Sequence, residues 1–181
     1  MIFEPLSLPG AFRIRQEKRE DSRGYFARTF CANEFSEQGI NPALVQCNTS
    51  FNRLRGTLRG MHWQAEPFGE DKLVRVTRGA VWDVLVDLRP DSQAFLRWHG
   101  EDLSAENGVM LYIPRGFAHG FVTLRDETEM FYQMSVFFES VSARGARFDD
   151  PAFGIRWPFS GDLIISDRDL AFPPFNPEKP A

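Results

Sequence analysis

The chain has 181 residues, of which 43% are hydrophobic and 25% are charged, and its net charge is −4. This composition is typical of a soluble globular protein, and we expect residues 1–181 to form one domain with a buried core. The acidic balance argues against general nucleic-acid binding, which normally shows a basic footprint. No run approaches the ~18 apolar residues of a membrane helix, and the N-terminus lacks the pattern of a secretory signal. We therefore expect a cytoplasmic protein that binds neither nucleic acid nor a membrane.

Short runs of alternating apolar residues, separated by Gly, Pro, Asn and Asp, recur along the chain and predict an all-β protein. One short helix is expected near residues 31–38, because Gly39 suits the left-handed position that follows a helix. The clearest predicted strands are residues 72–77, 81–88, 109–113, 120–124 and 129–138. We expect N-terminal strands over residues 1–45, a barrel core over about 46–140, and a proline-rich segment over about 141–181 that wraps the barrel.

Two stretches, residues 56–79 and 108–119, have a spacing similar to the paired motifs of the cupin barrel, G-x5-H-x-H-x3,4-E-x6-G and G-x5-P-x-G-x2-H. The positions that bind metal in that pattern, three His and one Glu, are held here by His62, Gln64, Lys72 and His119. An ammonium group at Lys72 repels a divalent cation and removes an anionic ligand. The resemblance implies a cupin-type jelly-roll β-sandwich or barrel with a few short helices. We predict acid–base chemistry there, with no metal and no cofactor.

Strand alternation indicates which side chains share a face. Lys72 lies on one face with Val74 and Val76, so its ammonium points toward an apolar lining. A lysine placed in this way is uncommon unless it has a partner or a task. In the strand predicted over residues 129–138, one face holds Tyr132 together with the apolar residues Met130, Met134, Val136 and Phe138.

These side chains suit the removal of a proton next to a ketone. A neutral His62 can take the proton, while Lys72 and Arg59 stabilise the enolate oxygen, a role that contributes ~3–4 kcal/mol per good donor. Tyr132 can then donate a proton on the opposite face, since a phenol with a pKa of about 10 is protonated at neutral pH. A base and an acid on opposite walls of a barrel can remove a proton from one face of a carbon and deliver one to the other, as an epimerase does. Each residue alone also fits a structural role, and periodicity does not bring them into one pocket.

The chain resembles the dTDP-4-dehydrorhamnose 3,5-epimerase family over nearly its whole length. The matching blocks are DSRGYF at 21–26, QCNTS at 46–50, LRGMHWQ at 58–64, KLV at 72–74, VWDV at 81–84, DLR at 87–89, IPRGFAHGF at 113–121, DP at 150–151 and ISDRD at 165–169. The resemblance implies a metal-free cupin homodimer with strands contributed across the interface. It also implies a dTDP-4-keto-6-deoxyhexose substrate.

Matched position by position, the resemblance implies that His62 is the base and Asp169 its orienting carboxylate. Tyr132 is implied as the acid, with Lys72 and Arg59 near the keto oxygen and the phosphates. The family positions that line the nucleotide-sugar site are held here by Arg23, Phe26, Gln46, Asn48, His119, Phe138 and Arg168.

Three positions depart from the family pattern: Arg28 and Ala143 stand where many members have Glu, and Phe138 stands where a Tyr is usual. The expected reaction is inversion of C3 and C5 of dTDP-4-dehydro-6-deoxy-D-glucose to give dTDP-4-dehydro-L-rhamnose, by enolisation and reprotonation. Related enzymes on the same fold would be a 3-only or 5-only epimerase and a 3,4-ketoisomerase. More distant possibilities are a metal-dependent cupin oxygenase or isomerase and a non-catalytic sugar-nucleotide-binding cupin.

Overall fold

The computed structural model describes residues 1–177, in which short strands dominate and only two short helices occur. In chain order the elements are β1 (Ile2–Pro5), β2 (Phe12–Arg15), β3 (Arg19–Asp21), β4 (Gly24–Phe26), α1 (Ala32–Glu37), β5 (Gln46–Asn52), β6 (Leu58–Gln64), β7 (Lys72–Arg78), β8 (Ala80–Asp87), β9 (Trp98–Ser104), β10 (Met110–Ile113), β11 (Phe117–Thr123), β12 (Thr128–Met134), β13 (Ala143–Gly145) and α2 (Asp167–Leu170). Over this part of the chain, neither helix has the length and apolar character needed to cross a membrane.

The strands form two antiparallel sheets that pack as a β-sandwich. One sheet has six strands in the order β1-β2-β10-β7-β12-β5, and the other has five in the order β13-β6-β11-β8-β9. Apart from β1-β2 and β8-β9, neighbouring strands in these sheets are not consecutive in the chain, as in a jelly roll. Strands β3 and β4 pair only with each other and form a hairpin outside both sheets. The all-β sandwich predicted from the sequence is confirmed.

The core lies between the two sheets. Its buried apolar side chains come from both of them and include Val74, Val76, Val81, Leu85, Leu111, Phe121 and Met130. Because Val74 and Val76 belong to this cluster, the face predicted for Lys72 is the interior face of β7. A second cluster covers the outer side of the five-stranded sheet, where Met61 and Trp63 pack with Phe153 of the C-terminal segment.

Most predicted strand positions agree with the structure, but the last one is too long. Strand β12 ends at Met134. The Ser135 N–H still donates to the Asp71 carbonyl, but the Asp71 N–H donates to the Ser135 hydroxyl at 2.8 Å, so the ladder to β7 stops there. Phe138 therefore does not share a face with Tyr132 by strand alternation. The helix near residues 31–38 is confirmed, and Gly39 after it has a φ of 71°.

Candidate active site

A cavity of about 500 Å³ opens between the two sheets. Seven of the site residues predicted from the sequence line it: Asn48, Arg59, His62, Lys72, His119, Tyr132 and Phe138. The cavity has two chemically different walls. Strands β6 and β11 of the five-stranded sheet carry His62 directly opposite His119. Strands β7 and β12 of the six-stranded sheet carry Lys72 and Tyr132, which lie diagonally across the pair.

A β-bulge in β6 explains why Arg59 and His62 line the same cavity. Phe121 pairs with Arg59 and His119 pairs with His62, so β6 has one more residue between the two pairs than β11 has. The extra residue re-aims the side chains beyond it. Gly60 lies in this bulge with a φ of 126°, and a Cβ there would approach the Gly120 Cα to 2.5 Å. Only glycine fits this position.

His62 and Asp169 form a hydrogen-bonded dyad. His62 Nε2 lies 2.8 Å from Asp169 Oδ1, and the two side chains are 41% and 7% exposed. Burial acts to raise the pKa of Asp169, but the hydrogen bonds from His62 and Gly60 outweigh it and hold that pKa below its ordinary value. The carboxylate is therefore charged at neutral pH and accepts the Nε2–H, which leaves Nδ1 of the imidazole as the basic nitrogen.

The short helix α2 positions Asp169. Its N-cap residue is Ser166, whose hydroxyl accepts the backbone N–H of Asp169 at 3.2 Å. The backbone N–H of Gly60 donates to the second carboxylate oxygen, Oδ2, at 3.2 Å. Helix α2 was not predicted from the sequence, because four residues are too few to show a helical period. Asp169 itself was predicted by resemblance.

His119 has its own carboxylate partner, Asp83 of β8, at 2.8 Å from Nε2. Both side chains are buried, unlike that of His62. Asp83 was not predicted from the sequence. The sequence does contain an indication of its role, because Asp83 alternates with Val81 and Leu85, which face the core. A carboxylate on such a face requires a partner.

The phenol of Tyr132 lies in the cavity wall opposite the dyad. Its ring meets that of His119 edge-on, with centroids 6.1 Å apart. Burial raises the pKa of Tyr132, the nearby Asp83 carboxylate raises it further, and Arg59 acts in the opposite direction. The phenol therefore stays protonated across the physiological range and can act as a proton donor, but not as a base.

Lys72 has the partner that its apolar surroundings require. Its Nζ lies 2.9 Å from Oε1 of Glu70, and the two side chains are 12% and 11% exposed. Glu70, which also lines the cavity, was not predicted.

Within residues 1–177 there is no group of three or more His, Cys, Asp or Glu side chains arranged to hold a metal ion. The Gln64 amide, at a metal-ligand position of the cupin pattern, instead accepts the Glu139 N–H at 2.6 Å.

The remaining predicted residues lie around or away from the cavity. Arg168 lines a smaller adjoining cavity of about 280 Å³ that shares Arg59, His62 and Phe138 with the first. Gln46 contributes indirectly, because its Oε1 accepts the Phe138 backbone N–H at 3.1 Å.

Arg23 and Phe26 do not reach this site within one chain. Both belong to the β3–β4 hairpin, which pairs with neither sheet, and among the residues described here they line neither cavity. Arg23 pairs with Asp21 at 2.6 Å, and Phe26 is 75% exposed. Their contact with a bound nucleotide sugar stays a prediction.

Comparison with known proteins gives the following matches. The sequence profile of the dTDP-4-dehydrorhamnose 3,5-epimerase family matches residues 5–177. A curated protein of that name from Sinorhizobium fredii is 42% identical over 173 residues, which cover 96% of this chain and 89% of the relative. The crystal structure of dTDP-4-dehydrorhamnose 3,5-epimerase from Elizabethkingia anophelis matches with a TM-score of 0.95 at 37% identity, covering 100% of this chain and 99% of that one. A 3,5-epimerase from Legionella pneumophila, solved in complex with dTDP-4-keto-L-rhamnose, matches with a TM-score of 0.89 at 34% identity, covering 94% and 90%.

Proposed function

The chain belongs to the dTDP-4-dehydrorhamnose 3,5-epimerase family, and on that premise we propose that it inverts C3 and C5 of dTDP-4-dehydro-6-deoxy-D-glucose. The product is dTDP-4-dehydro-L-rhamnose, and the reaction is an isomerisation. The observation that carries this proposal is that His62, hydrogen-bonded to Asp169, lies on one sheet and Tyr132 on the other, across one cavity. Relatives named for this activity, and the Legionella pneumophila complex with a dTDP-4-keto sugar, support the choice of substrate.

Each inversion consists of two proton transfers. His62 takes the proton from the carbon next to the C4 ketone, so that the C–H bond breaks and its electron pair forms the enolate. The ammonium of Lys72 and the guanidinium of Arg59 stabilise the negative charge that develops on the C4 oxygen. Tyr132 then delivers its phenolic proton to the opposite face of that carbon. A general acid or base in such a position contributes about 10²–10⁴-fold to the rate.

Further residues of the site suit the nucleotide part of the substrate. Arg168 borders the adjoining cavity and can pair with the diphosphate, for which a guanidinium fork is well suited. Phe138 at the cavity wall offers an aromatic face on which a base can stack. Asn48, on the edge strand β5, provides an amide that can donate to the substrate.

A homodimer is part of this proposal. The hairpin that carries Arg23 and Phe26 lies outside both sheets, and the exposed aromatic ring of Phe26 is suited to burial against a second copy. In that arrangement each hairpin completes the partner's cavity. Mixing inactive Arg23→Ala and His62→Ala proteins tests this, because subunit exchange then restores one intact site per mixed dimer. Mixtures that stay inactive after exchange, or a monomer in sedimentation, contradict it.

The proposal includes a cytoplasmic location, since a charged nucleotide sugar does not cross membranes unaided.

Proton exchange in D2O tests the proposed reaction. Incubation with dTDP-4-keto-6-deoxyglucose should place deuterium at both C3 and C5, as followed by NMR. Deuterium at a single carbon identifies a 3-only or 5-only epimerase, and movement of the carbonyl to C3 identifies a ketoisomerase. Tight binding with no exchange at either carbon indicates a non-catalytic binding protein. Exchange that disappears on chelation indicates a metal-dependent enzyme.

A further inference from the structure

We propose that Glu70 is a positioning residue for this reaction: its carboxylate holds the Lys72 ammonium at the place where the enolate oxygen develops. The inference rests on the proposed function, because it concerns how the enolate is stabilised.

The ion pair lies inside the cavity. Glu70 and Lys72 line the same space as His62 and Tyr132, and Glu70 Oε1 lies 2.9 Å from Lys72 Nζ. In residues 1–177, Glu70 is the one carboxylate within ion-pair distance of that ammonium. An ammonium has three N–H donors, so pairing with one carboxylate oxygen leaves donors for the substrate.

A fixed ammonium matters for catalysis because lysine is flexible. Its charge sits at the end of a four-carbon stem, and holding that stem in one conformation requires a partner. Donors stabilise a developing oxyanion most strongly when they are already in place before the reaction. Displacement of a catalytic group by about 1 Å can cost about 10²-fold in rate.

Glu70 is itself held from two directions. Its second oxygen, Oε2, lies 3.4 Å from Nε2 of Gln64, a buried amide that also accepts the Glu139 N–H. Next to Glu70, the buried side chain of Asp71 accepts hydrogen bonds from Asn41 Nδ2 at 2.8 Å and from a backbone N–H at 2.9 Å. Asp71, which separates the two residues of the ion pair in the sequence, is therefore anchored by its own side chain.

This arrangement links the two positions at which the chain departs from the metal-binding cupin pattern. Gln64 and Lys72 stand where that pattern has metal ligands, and Glu70 bridges them with one oxygen to each side chain. The Glu70 carboxylate thus orients a cationic side chain of the protein, the Lys72 ammonium.

A merely structural role for Glu70, neutralising a half-buried lysine, makes a different prediction from a positioning role. Glu101 provides the matched control: it is 14% exposed, pairs with Arg13, and among the described residues it lies outside the cavity lining. Loss of either carboxylate should affect folding to a similar extent. Only the loss of Glu70 should affect the chemical step.

The test compares Glu70→Gln, Glu101→Gln and the wild type in steady-state assays of exchange at C3 and C5. We expect Glu70→Gln to lower kcat by about 10- to 100-fold and to change KM by less than about threefold. Glu101→Gln should keep the wild-type kcat. Glu70→Asp keeps the charge on a side chain one methylene shorter and should show an intermediate kcat. It replaces Glu70→Gln as the test variant if Glu70→Gln fails to fold. Folded Glu70 variants with the wild-type kcat, or with a change in KM alone, overturn the inference.

A double-mutant cycle with Lys72→Met separates action through Lys72 from a general structural effect. Exchange followed over hours at high enzyme concentration keeps the slow variants measurable. Glu70→Gln should cause no further loss of kcat once Lys72 is replaced, and an equal loss in both backgrounds overturns the inference. A wild type that shows no exchange refutes the proposed function itself, whereas an active wild type without coupling refutes only the role of Glu70.

Discussion

The substitution Asp169→Asn probes the dyad that makes His62 a base. The hydrogen bond between His62 Nε2 and Asp169 Oδ1 is 2.8 Å long and involves a charged carboxylate. Such a bond contributes about 1.5–3 kcal/mol, and since 1.36 kcal/mol corresponds to a tenfold change in rate, its loss alone slows the reaction by about 10- to 150-fold. The amide also no longer fixes the imidazole tautomer, a change that costs up to about 10⁴-fold in a Ser-His-Asp triad.

His62 is 41% exposed, so water replaces part of the lost interaction. We therefore expect exchange at C3 and C5 to slow by about 10²–10³-fold, with a KM within about threefold of the wild type. Asp87→Asn is the control, because Asp87 is also buried and paired with Arg89 at 2.7 Å but is absent from the cavity lining among the described residues. It should lose stability and keep the wild-type exchange rate. A folded Asp169→Asn protein with an exchange rate within about threefold of the wild type would refute the dyad.

Three further predictions concern the acid, the bulge and low pH. Tyr132→Phe should retain deuterium exchange but lose inversion, since His62 can return a proton to the face from which it took it. NMR of the product shows whether C3 and C5 are inverted, and full inversion would contradict the role of the phenol. Gly60→Ala should lose more than about 2 kcal/mol of unfolding free energy, measured by urea denaturation, because its Cβ would lie 2.5 Å from the Gly120 Cα. A loss below about 0.5 kcal/mol would count against the bulge geometry. Asp169 has a depressed pKa in the folded state, so the stability it contributes is present above its unfolded pKa of about 3.9 and is lost as the pH falls through the folded value. The thermal unfolding midpoint of the wild type should therefore fall between pH 5 and pH 3, and that of Asp169→Asn should fall less steeply. Equal slopes of midpoint against pH in the two proteins would contradict this.

The features of the site that follow local periodicity could be predicted from the sequence. The period of two in β7 places Lys72 on the interior face with Val74, and the structure agrees. The spacing of His62 and His119 matched a known barrel pattern, and the two residues lie opposite each other on adjacent strands. Turn residues between the apolar runs gave most strand positions to within a few residues.

The features that depend on contacts between distant segments could not be predicted in this way. The bulge in β6 brings Arg59 onto the wall of His62, although strict alternation separates residues three apart. The pairing of Glu70 with Lys72 depends on a loop, which has no period. The position of Phe138 depends on a hydrogen bond to Gln46 and not on the strand that precedes it. No sequence pattern reports such contacts.

The proposed reaction depends above all on a protein base, the imidazole of His62, that removes the proton. Deuterium incorporation by a folded His62→Asn variant that still binds dTDP probes this step without further assumptions. We predict no deuterium at C3 or at C5 under conditions in which the wild type labels both carbons. Labelling of either carbon at the wild-type rate would show that another group is the base.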